Sequence, residues 1–392
     1  MKILVMDWPA IGCETVKKVF AELGNEVITF PFPHKSEQVS YGEELGHEIA
    51  VKIMETGADA VFSFNYFPVI SIAAHACRCK YICWVYQCPA MMMYSMTIFF
   101  PENYIFHFDS SEVERMRNDG VPHVWYLSLA ADTDYYEKLV PDEAAKKHYS
   151  ADVAMIGSMY RDKYRYFQRF TGFDDYLRGY LDAAVEAQEK VYGAFFLEKI
   201  LTPEIMEMVN RTVPLESEKK DGYESAEWSF AHYYLGMRVT ANEREHILKA
   251  LSERYDVALY TGEETPYLPK VRNMGLADYY SVAPLVMKCA KINLNTSCRS
   301  IHTGIPQRVM DIMACGGFCL SNYQADLAEE FADGEDYVCY ESIDHAVELT
   351  DYYLEHEVER REIARNGCEK VRKYHDYREK CRQMLKCCEN GA

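Results

Sequence analysis

The sequence lacks any apolar run approaching the roughly 20 residues that a bilayer-spanning helix requires, so no membrane-spanning segment is expected. Positive charge is also scarce: 42 Lys and Arg stand against 61 Asp and Glu, a formal net charge of -19. Nucleic acids and anionic bilayers are recognised largely through clustered Lys and Arg, and neither is an expected partner. At the start, Asp7 ends the apolar stretch Ile3-Leu4-Val5-Met6 and no small-residue cleavage site follows. The stretch reads as a first strand and not as a signal peptide, which points to a cytoplasmic protein. The densest of the fourteen cysteines, Cys77, Cys79, Cys83 and Cys88, contain no C-x2-C pair. Zinc is therefore not expected, and the cysteines read as reduced, mostly buried thiols, with Cys83 inside a strand.

What is present points to a globular protein of two domains. Hydrophobic residues make up 49% of the 392 and aromatic residues 14%, enough for substantial cores, and one core rarely grows past roughly 250 residues. Short β-rich runs alternate with helical patterns, the mark of βαβ units. The expected strands are Lys2 to Met6, Glu26 to Phe30, Ala60 to Phe64, Tyr81 to Tyr86, Tyr104 to Phe108 and His123 to Leu127. A second set follows at Asp152 to Ile156, Tyr255 to Tyr260, Lys291 to Leu294, Phe318 to Leu320 and Tyr337 to Tyr340. The pattern predicts an α/β protein of two Rossmann-like domains facing a cleft, residues 1–140 and 150–375, joined by a linker over Tyr136 to Ser150. A helical insertion over about 160–238 opens the second domain, with an aromatic stripe, Tyr164, Tyr166, Phe167, Phe170 and Phe173, read as packing. Residues 376–392 form a last helix packing back toward the first domain, and Asn366-Gly367 breaks the helices before it.

Ligands of open parallel sheets bind beyond the carboxyl ends of the strands. In the first domain this singles out Asp7, Trp8, His34, Asn65, Tyr66, Tyr86, Gln87 and Asp109; Trp8 suits either sugar stacking or packing, and the polar residues either catalysis or helix capping. In the second domain the segment Lys291 to Asn322 reads strand, loop, helix, strand, with Pro306 opening a helix over Gln307 to Cys315 and Gly316-Gly317 ending it. Val309, Ile312 and Met313 face the core at helical spacing, which turns Arg308, Asp311 and Cys315 onto another face. An arginine in the first turn of a helix suits a diphosphate, because free N–H groups, the helix dipole and the guanidinium all favour negative charge there. A carboxylate one turn later can accept ribose hydroxyls; the competing reading is a solvated Arg308–Asp311 pair.

At these residues the chain resembles GT-B glycosyltransferases, specifically the CgeB-like spore-maturation branch whose second domain is similar to glycosyltransferase family 4. Tyr81 to Pro89 resembles the family's Trp-Val-Tyr-Asp-Ser-Pro signature, with Gln87 and Cys88 in place of Asp and Ser. Val153 to Tyr160 is similar to its Gly-Ser-x-Tyr entry strand, and Asp333 to Val338 to a downstream strand. The run Arg308 to Gly316 resembles the helix bearing the second glutamate of the E-x7-E motif, with Asp311 in that place and Thr303 where the first glutamate would stand.

The resemblance implies transfer of a sugar from a nucleotide diphosphosugar, with a UDP-sugar as the candidate donor, to a glycan or protein hydroxyl, with retention of configuration and no cofactor. Departure of the diphosphate is the difficult step, and fixed cations and helix N-termini stabilise it without reorganisation. No Asp-x-Asp sits at a strand end, Asp132-Thr133-Asp134 lying near the linker, so metal independence is expected. Arg308 and Asp311 are the expected catalytic residues, with Arg161 or Arg299 as a second cation. Gly157, Ser158, Asn295, Thr296, Ser297, Thr303, Gly304 and Gly316 are expected around the phosphates and sugar, Tyr260 and Thr261 near the base, and Asp7, Trp8, Asn65, Tyr66, Tyr86 and Gln87 around the acceptor. The rival readings are a non-catalytic nucleotide-sugar-binding protein with a degenerate site, and a nucleotide-sugar epimerase, for which His302 is the only nearby histidine.

Overall fold

The computed structural model describes residues 1–161, 172–212 and 222–390. They form two compact units, the first built from Met1–Asp132 with a short piece ending at Glu224 and the chain from Tyr374 onward, the second from the remainder.

The first unit carries a fully parallel sheet of β1 (Lys2–Asp7), β2 (Glu26–Pro31), β3 (Ala60–Phe64), β4 (Lys80–Val85), β5 (Asn103–His107) and β6 (Val124–Tyr126), in the order β2-β1-β3-β4-β5-β6. Its inner strands read as near-continuous apolar runs because helices cover both faces, whereas β2, on the edge, carries mostly accessible residues. The crossover helix Cys13–Glu22 seats Val16, Val19 and Phe20 on the sheet, the spacing that its sequence sets. The sheet order reverses between β1 and β3, so the loops after these two strands diverge and open a crevice. The last helix, Tyr377–Asn390, belongs to this unit: Tyr377 meets Trp84 edge-on at 5.9 Å, and Lys80 Nζ donates to the Cys388 carbonyl at 2.7 Å.

The second unit carries another parallel sheet of β7 (Val153–Ile156), β8 (Val257–Tyr260), β9 (Arg272–Asn273), β10 (Ile292–Asn295), β11 (Cys319–Asn322) and β12 (Val338–Tyr340), ordered β12-β11-β10-β7-β8-β9. Counted within the unit, this is the doubly wound dinucleotide-fold order, whose switch point falls between the first and fourth strands, here β7 and β10. Between β7 and β8 the described chain is helical: Asp175–Glu189, Pro203–Thr212, Ala226–Ser229, one stretch of π-helix at Phe230–Leu235, and Gly236–Ser252. Phe173, Leu177, Leu181, Phe230 and Leu235 join there in a core separate from the one under the sheet. Tyr164, Tyr166, Phe167 and Phe170 of the expected aromatic stripe lie outside the described residues.

Every strand expected from the sequence occurs, its ends shifted by a residue or two; the added β9 is two exposed edge residues, too short for a pattern. Two expectations need correction. The linker is folded, with helices Thr133–Lys138 and Glu143–Tyr149, the latter capped by Asp142 accepting from Ala145 N at 2.7 Å, and Tyr136 is buried. Asn366-Gly367 breaks nothing: the helix Glu357–Tyr374 runs through it. Gly367 serves close approach, since a Cβ there would lie 2.3 Å from the Asp336 carbonyl oxygen. The chain turns instead at His356 and at His375-Asp376.

Candidate functional site

The helix after β10, Gln307–Ala314, starts from Pro306 as its N-cap and stops at Cys315 before left-handed Gly316. Arg308 lies in its first turn, partly exposed. Asp311 and Cys315, expected on the same face as Arg308, are buried, with Asp311 1% exposed, so the alternative of a solvated Arg308–Asp311 pair does not hold. That face is internal, roofed by Tyr136 and Tyr279, whose hydroxyls donate to Asp311 Oδ1 at 3.0 and 2.8 Å; Gln307 Nε2 adds a third bond at 2.9 Å. The other oxygen, Oδ2, has no hydrogen-bond partner, and neither has the buried Arg308 Nη1, 4.0 Å away. Burial raises the Asp311 carboxyl above its ordinary value, against the opposing pull of Arg308, Gln307, Tyr279 and Tyr136. Gly316 is removed from this end of the helix: eight residues carry the axis about 12 Å toward the amino edge of the sheet.

The loop after β10 is also a structural element where the sequence suggested ligand contacts. Asn295, Thr296 and Ser297 are buried. Asn295 Nδ2 donates to Ser297 Oγ at 3.1 Å and Ser321 Oγ at 2.9 Å, Ser297 N donates to Asn322 Oδ1 at 2.8 Å, and Thr296 Oγ1 lies 3.1 Å from the Tyr340 hydroxyl. Arg299 is held likewise: Nε donates to Glu243 at 2.7 Å, Nη1 and Nη2 to the carbonyls of Val191 and Glu189 at 3.1 Å each, and the guanidinium lies 3.9 Å from the Tyr192 ring centroid. Arg299, expected as a second cation for a phosphate, is engaged here as a strut. Thr303 is half-buried and its carbonyl accepts from Asp326 N at 3.0 Å; Gly304 is buried beside it. His302 Nε2 lies 3.0 Å from Nε2 of His232, on the π-helical stretch, with Phe195 stacked beside both rings. π-Helical turns often accompany function. His302, Phe195, Arg299, Asn322 and Gln324 line a small pocket.

At the switch point the turn after β7 holds Gly157, Ser158 and Arg161. Its polar hydrogens converge on one carboxylate, that of Glu263 from the loop after β8: the Ser158 hydroxyl, Met159 N at 2.7 Å, Tyr160 N at 3.1 Å and Arg161 N at 3.0 Å. The Arg161 guanidinium pairs with Glu245 and lies over the Tyr267 ring. Arg244, on the helix Gly236–Ser252, donates to the Ser158 carbonyl after β7 and, at 2.5 Å, to the Thr296 carbonyl after β10, tying the two switch-point loops together. Gly157 permits this, since a Cβ there would stand 3.3 Å from Arg244 Nη1. Neither Arg244 nor Glu263 was among the expected residues. One signal was available for Arg244: Thr240, Glu243, Arg244, Ile247, Leu248 and Leu251 share the buried face of their helix, so helical spacing places two charges where apolar residues belong. Tyr260 is buried core, packed with Ala154 and Val286, and Thr261 Oγ1 caps the next turn by accepting from Glu263 N at 3.4 Å.

In the first unit, Asp7 and Trp8 follow β1 and Asn65 and Tyr66 follow β3, the two sides of that sheet's switch point. Trp8 stacks on His34 at 4.6 Å and faces Tyr86 at 6.5 Å, and its buried Nε1 has no partner. Asp7 pairs with Lys17 at 3.1 Å. Asn65 Oδ1 accepts from the backbone of Tyr86 and Gln87 at 3.1 Å each, so Asn65 holds the loop after β4 and leaves the Gln87 side chain exposed. Tyr66, expected around the acceptor, is buried with its hydroxyl 2.7 Å from Thr97 Oγ1. Asp109 caps its helix, accepting from Ser111 N at 3.0 Å and from Glu112 N. The thiols nearest in sequence are separately engaged: Cys77 Sγ donates to the Ala50 carbonyl and Cys79 Sγ to that of Ala58, while Cys83 is buried within β4.

Residues 243–386 match the family model described as "Glycosyl transferase-like". No protein of curated function matches the chain. Among solved structures, the chain is similar to the Anabaena HepE protein crystallised with UDP and glucose, at 11% identity and TM-score 0.56 over 100% of both chains. It is similar also to sucrose-phosphate synthase from Thermosynechococcus elongatus, at 10% identity and TM-score 0.53 over 99% of this chain and 98% of that one. T4 phage BGT, solved with its UDP-glucose substrate, gives 11% identity and TM-score 0.50 over 100% and 99%. At these identities the likeness establishes the fold: two parallel α/β units of the GT-B class. Among the described residues no helix is long and apolar enough to cross a membrane.

Proposed function

We propose that the chain is a glycosyltransferase of the CgeB-like branch, with a second unit akin to glycosyltransferase family 4, that moves a hexosyl group from a nucleotide diphosphosugar to a hydroxyl of a glycan or protein in the cytoplasm. The observation that carries this reading is the Arg308–Asp311 pair, which leaves one buried donor and one buried acceptor unsatisfied 4.0 Å apart. Buried polar atoms without partners are costly, and a ligand that offers both an acceptor and a donor removes both costs. A sugar nucleotide has both, in its phosphate oxygens and its hydroxyls. The pair lies within the glycosyl transferase-like segment, and solved structures of the same fold hold UDP with glucose or UDP-glucose.

In this reaction the bond between the anomeric carbon and the diphosphate oxygen breaks, one to the acceptor oxygen forms, and the acceptor's hydroxyl proton ends on the departing diphosphate. Arg308 and the free N–H groups of its helix stabilise the charge that grows on the departing diphosphate. No metal is needed for that role, and retention of configuration is the expected outcome. The acceptor is assigned to the loops after β1, β3 and β4, where Trp8 offers an apolar face beside the exposed Gln87. The test is release of the nucleotide from a panel of sugar donors, as the nucleoside diphosphate from UDP-, GDP- and dTDP-linked sugars and as CMP from CMP-linked ones, with Arg308→Ala as control. Wild-type turnover, with Arg308→Ala reduced at least about 100-fold in rate, is expected for a fixed cation acting on the leaving group. Donor binding without any nucleotide release sinks the enzyme reading in favour of a binding protein.

A further inference from the structure

We propose that Glu263 is a built-in stand-in for a donor phosphate, a latch that occupies the anion nest after β7 and must swing away before a diphosphate binds there. The proposal rests on the reading of the second unit as a nucleotide diphosphosugar site.

Three consecutive backbone N–H groups, Met159 to Arg161, and the Ser158 hydroxyl all point at the Glu263 carboxylate. Successive N–H groups turned to one side by a left-handed residue, here Tyr160 at φ 58°, form a concavity that prefers an anion. Its location at the switch point of a doubly wound sheet is where such folds hold ligand phosphates. A second and independent observation is Arg244. The residue is 8% exposed, its Nε is buried without a hydrogen-bond partner, and its other nitrogens donate to neutral carbonyls, those of Ser158 and Thr296. Tyr160 covers its face at 5.0 Å, and it forms no ion pair among the described residues. A guanidinium buried without a counter-charge is unfavourable, and a phosphoryl group seated in the adjoining nest supplies that charge where the Glu263 carboxylate does not reach.

Glu263 is suited to leaving. It sits between exposed Gly262 and Glu264, and on the same loop Asn273 Nδ2 donates to the Glu263 carbonyl at 2.8 Å and Glu263 N to Thr261 Oγ1. An internal anion that fills the nest nine-tenths of the time weakens an external phosphate about tenfold, because apparent affinity scales with the vacant fraction.

The experiment is calorimetric titration of inorganic pyrophosphate and, separately, of UDP into the full chain, Glu263→Ala and Glu263→Gln. The glutamine keeps an accepting oxygen and the loop geometry but drops the charge, and circular dichroism establishes that each variant is folded. Pyrophosphate is expected to bind Glu263→Ala about tenfold tighter than wild type, with Glu263→Gln between them. Unchanged or weaker pyrophosphate binding in folded Glu263→Gln, or no pyrophosphate binding to any of the three, overturns the latch. Tighter pyrophosphate binding in the variants with no binding of UDP to any supports the latch and sinks the donor reading; UDP binding that both variants leave unchanged sinks the latch alone.

Discussion

Replacing Arg299 with methionine separates a strut from a ligand-binding cation. Its side chain is 8% exposed and that of Glu243 is fully buried. Without the guanidinium, Glu243 keeps only the hydroxyls of Tyr192 at 3.0 Å and Tyr340 at 3.5 Å, and the Glu189 carbonyl loses the Arg299 donor, while the Val191 carbonyl keeps Gln188 Nε2 at 3.2 Å. Removing one partner of a buried ion pair costs about 3–5 kcal/mol, and one stranded carbonyl adds about 1 kcal/mol, which places Arg299→Met at about 4–5 kcal/mol. Urea unfolding of wild type, Arg299→Met, Glu243→Gln and the double variant measures it. The double variant should cost about 2 kcal/mol less than the sum of the singles, because the glutamine leaves no buried charge behind. A single-variant cost under about 1 kcal/mol, or strict additivity, refutes the strut; a Met variant of unchanged stability that loses only nucleotide affinity returns Arg299 to the diphosphate.

Two further outcomes follow from the same unit. Because burial raises the Asp311 carboxyl above 3.8 in the folded chain, its protonated form favours folding; that contribution is present below 3.8 and is lost as pH rises through the folded value. Stability of Asp311→Asn relative to wild type should therefore increase with pH across that window, and a difference flat in pH contradicts the assignment. Gly367→Ala puts a methyl 2.3 Å from the Asp336 carbonyl oxygen and 3.2 Å from Met313 Sδ; it should lower stability by about 1–3 kcal/mol in thermal unfolding, whereas an unstructured break at Asn366-Gly367 would leave the melting temperature unmoved or raise it.

The strands were readable because parallel, twice-covered strands need continuous apolar runs, and the helix over Gln307–Ala314 because Pro306, Gly316 and the spacing of Val309, Ile312 and Met313 are local signals. Partners were not. The polar loop Asn295 to Ser300 has the composition of a binding site, but its groups satisfy one another and those of Ser321, Asn322 and Tyr340, residues distant in sequence. Asp311 was placed on a site face because Tyr136 and Tyr279, which bury it, lie far away along the chain and one was assigned to a linker. Glu263 sits on an exposed loop 105 residues from the Ser158 hydroxyl that it accepts from, and nothing local marks it as an anion held in a nest.

Amide hydrogen exchange with and without UDP-glucose tests most directly whether the second unit's switch point holds a sugar nucleotide. Slower exchange is predicted in peptides covering Gly157 to Arg161 and Thr303 to Asp311, with the amino edge of the same sheet around Gly316 unchanged. Protection confined to the first unit, or none at saturating ligand, would contradict the account.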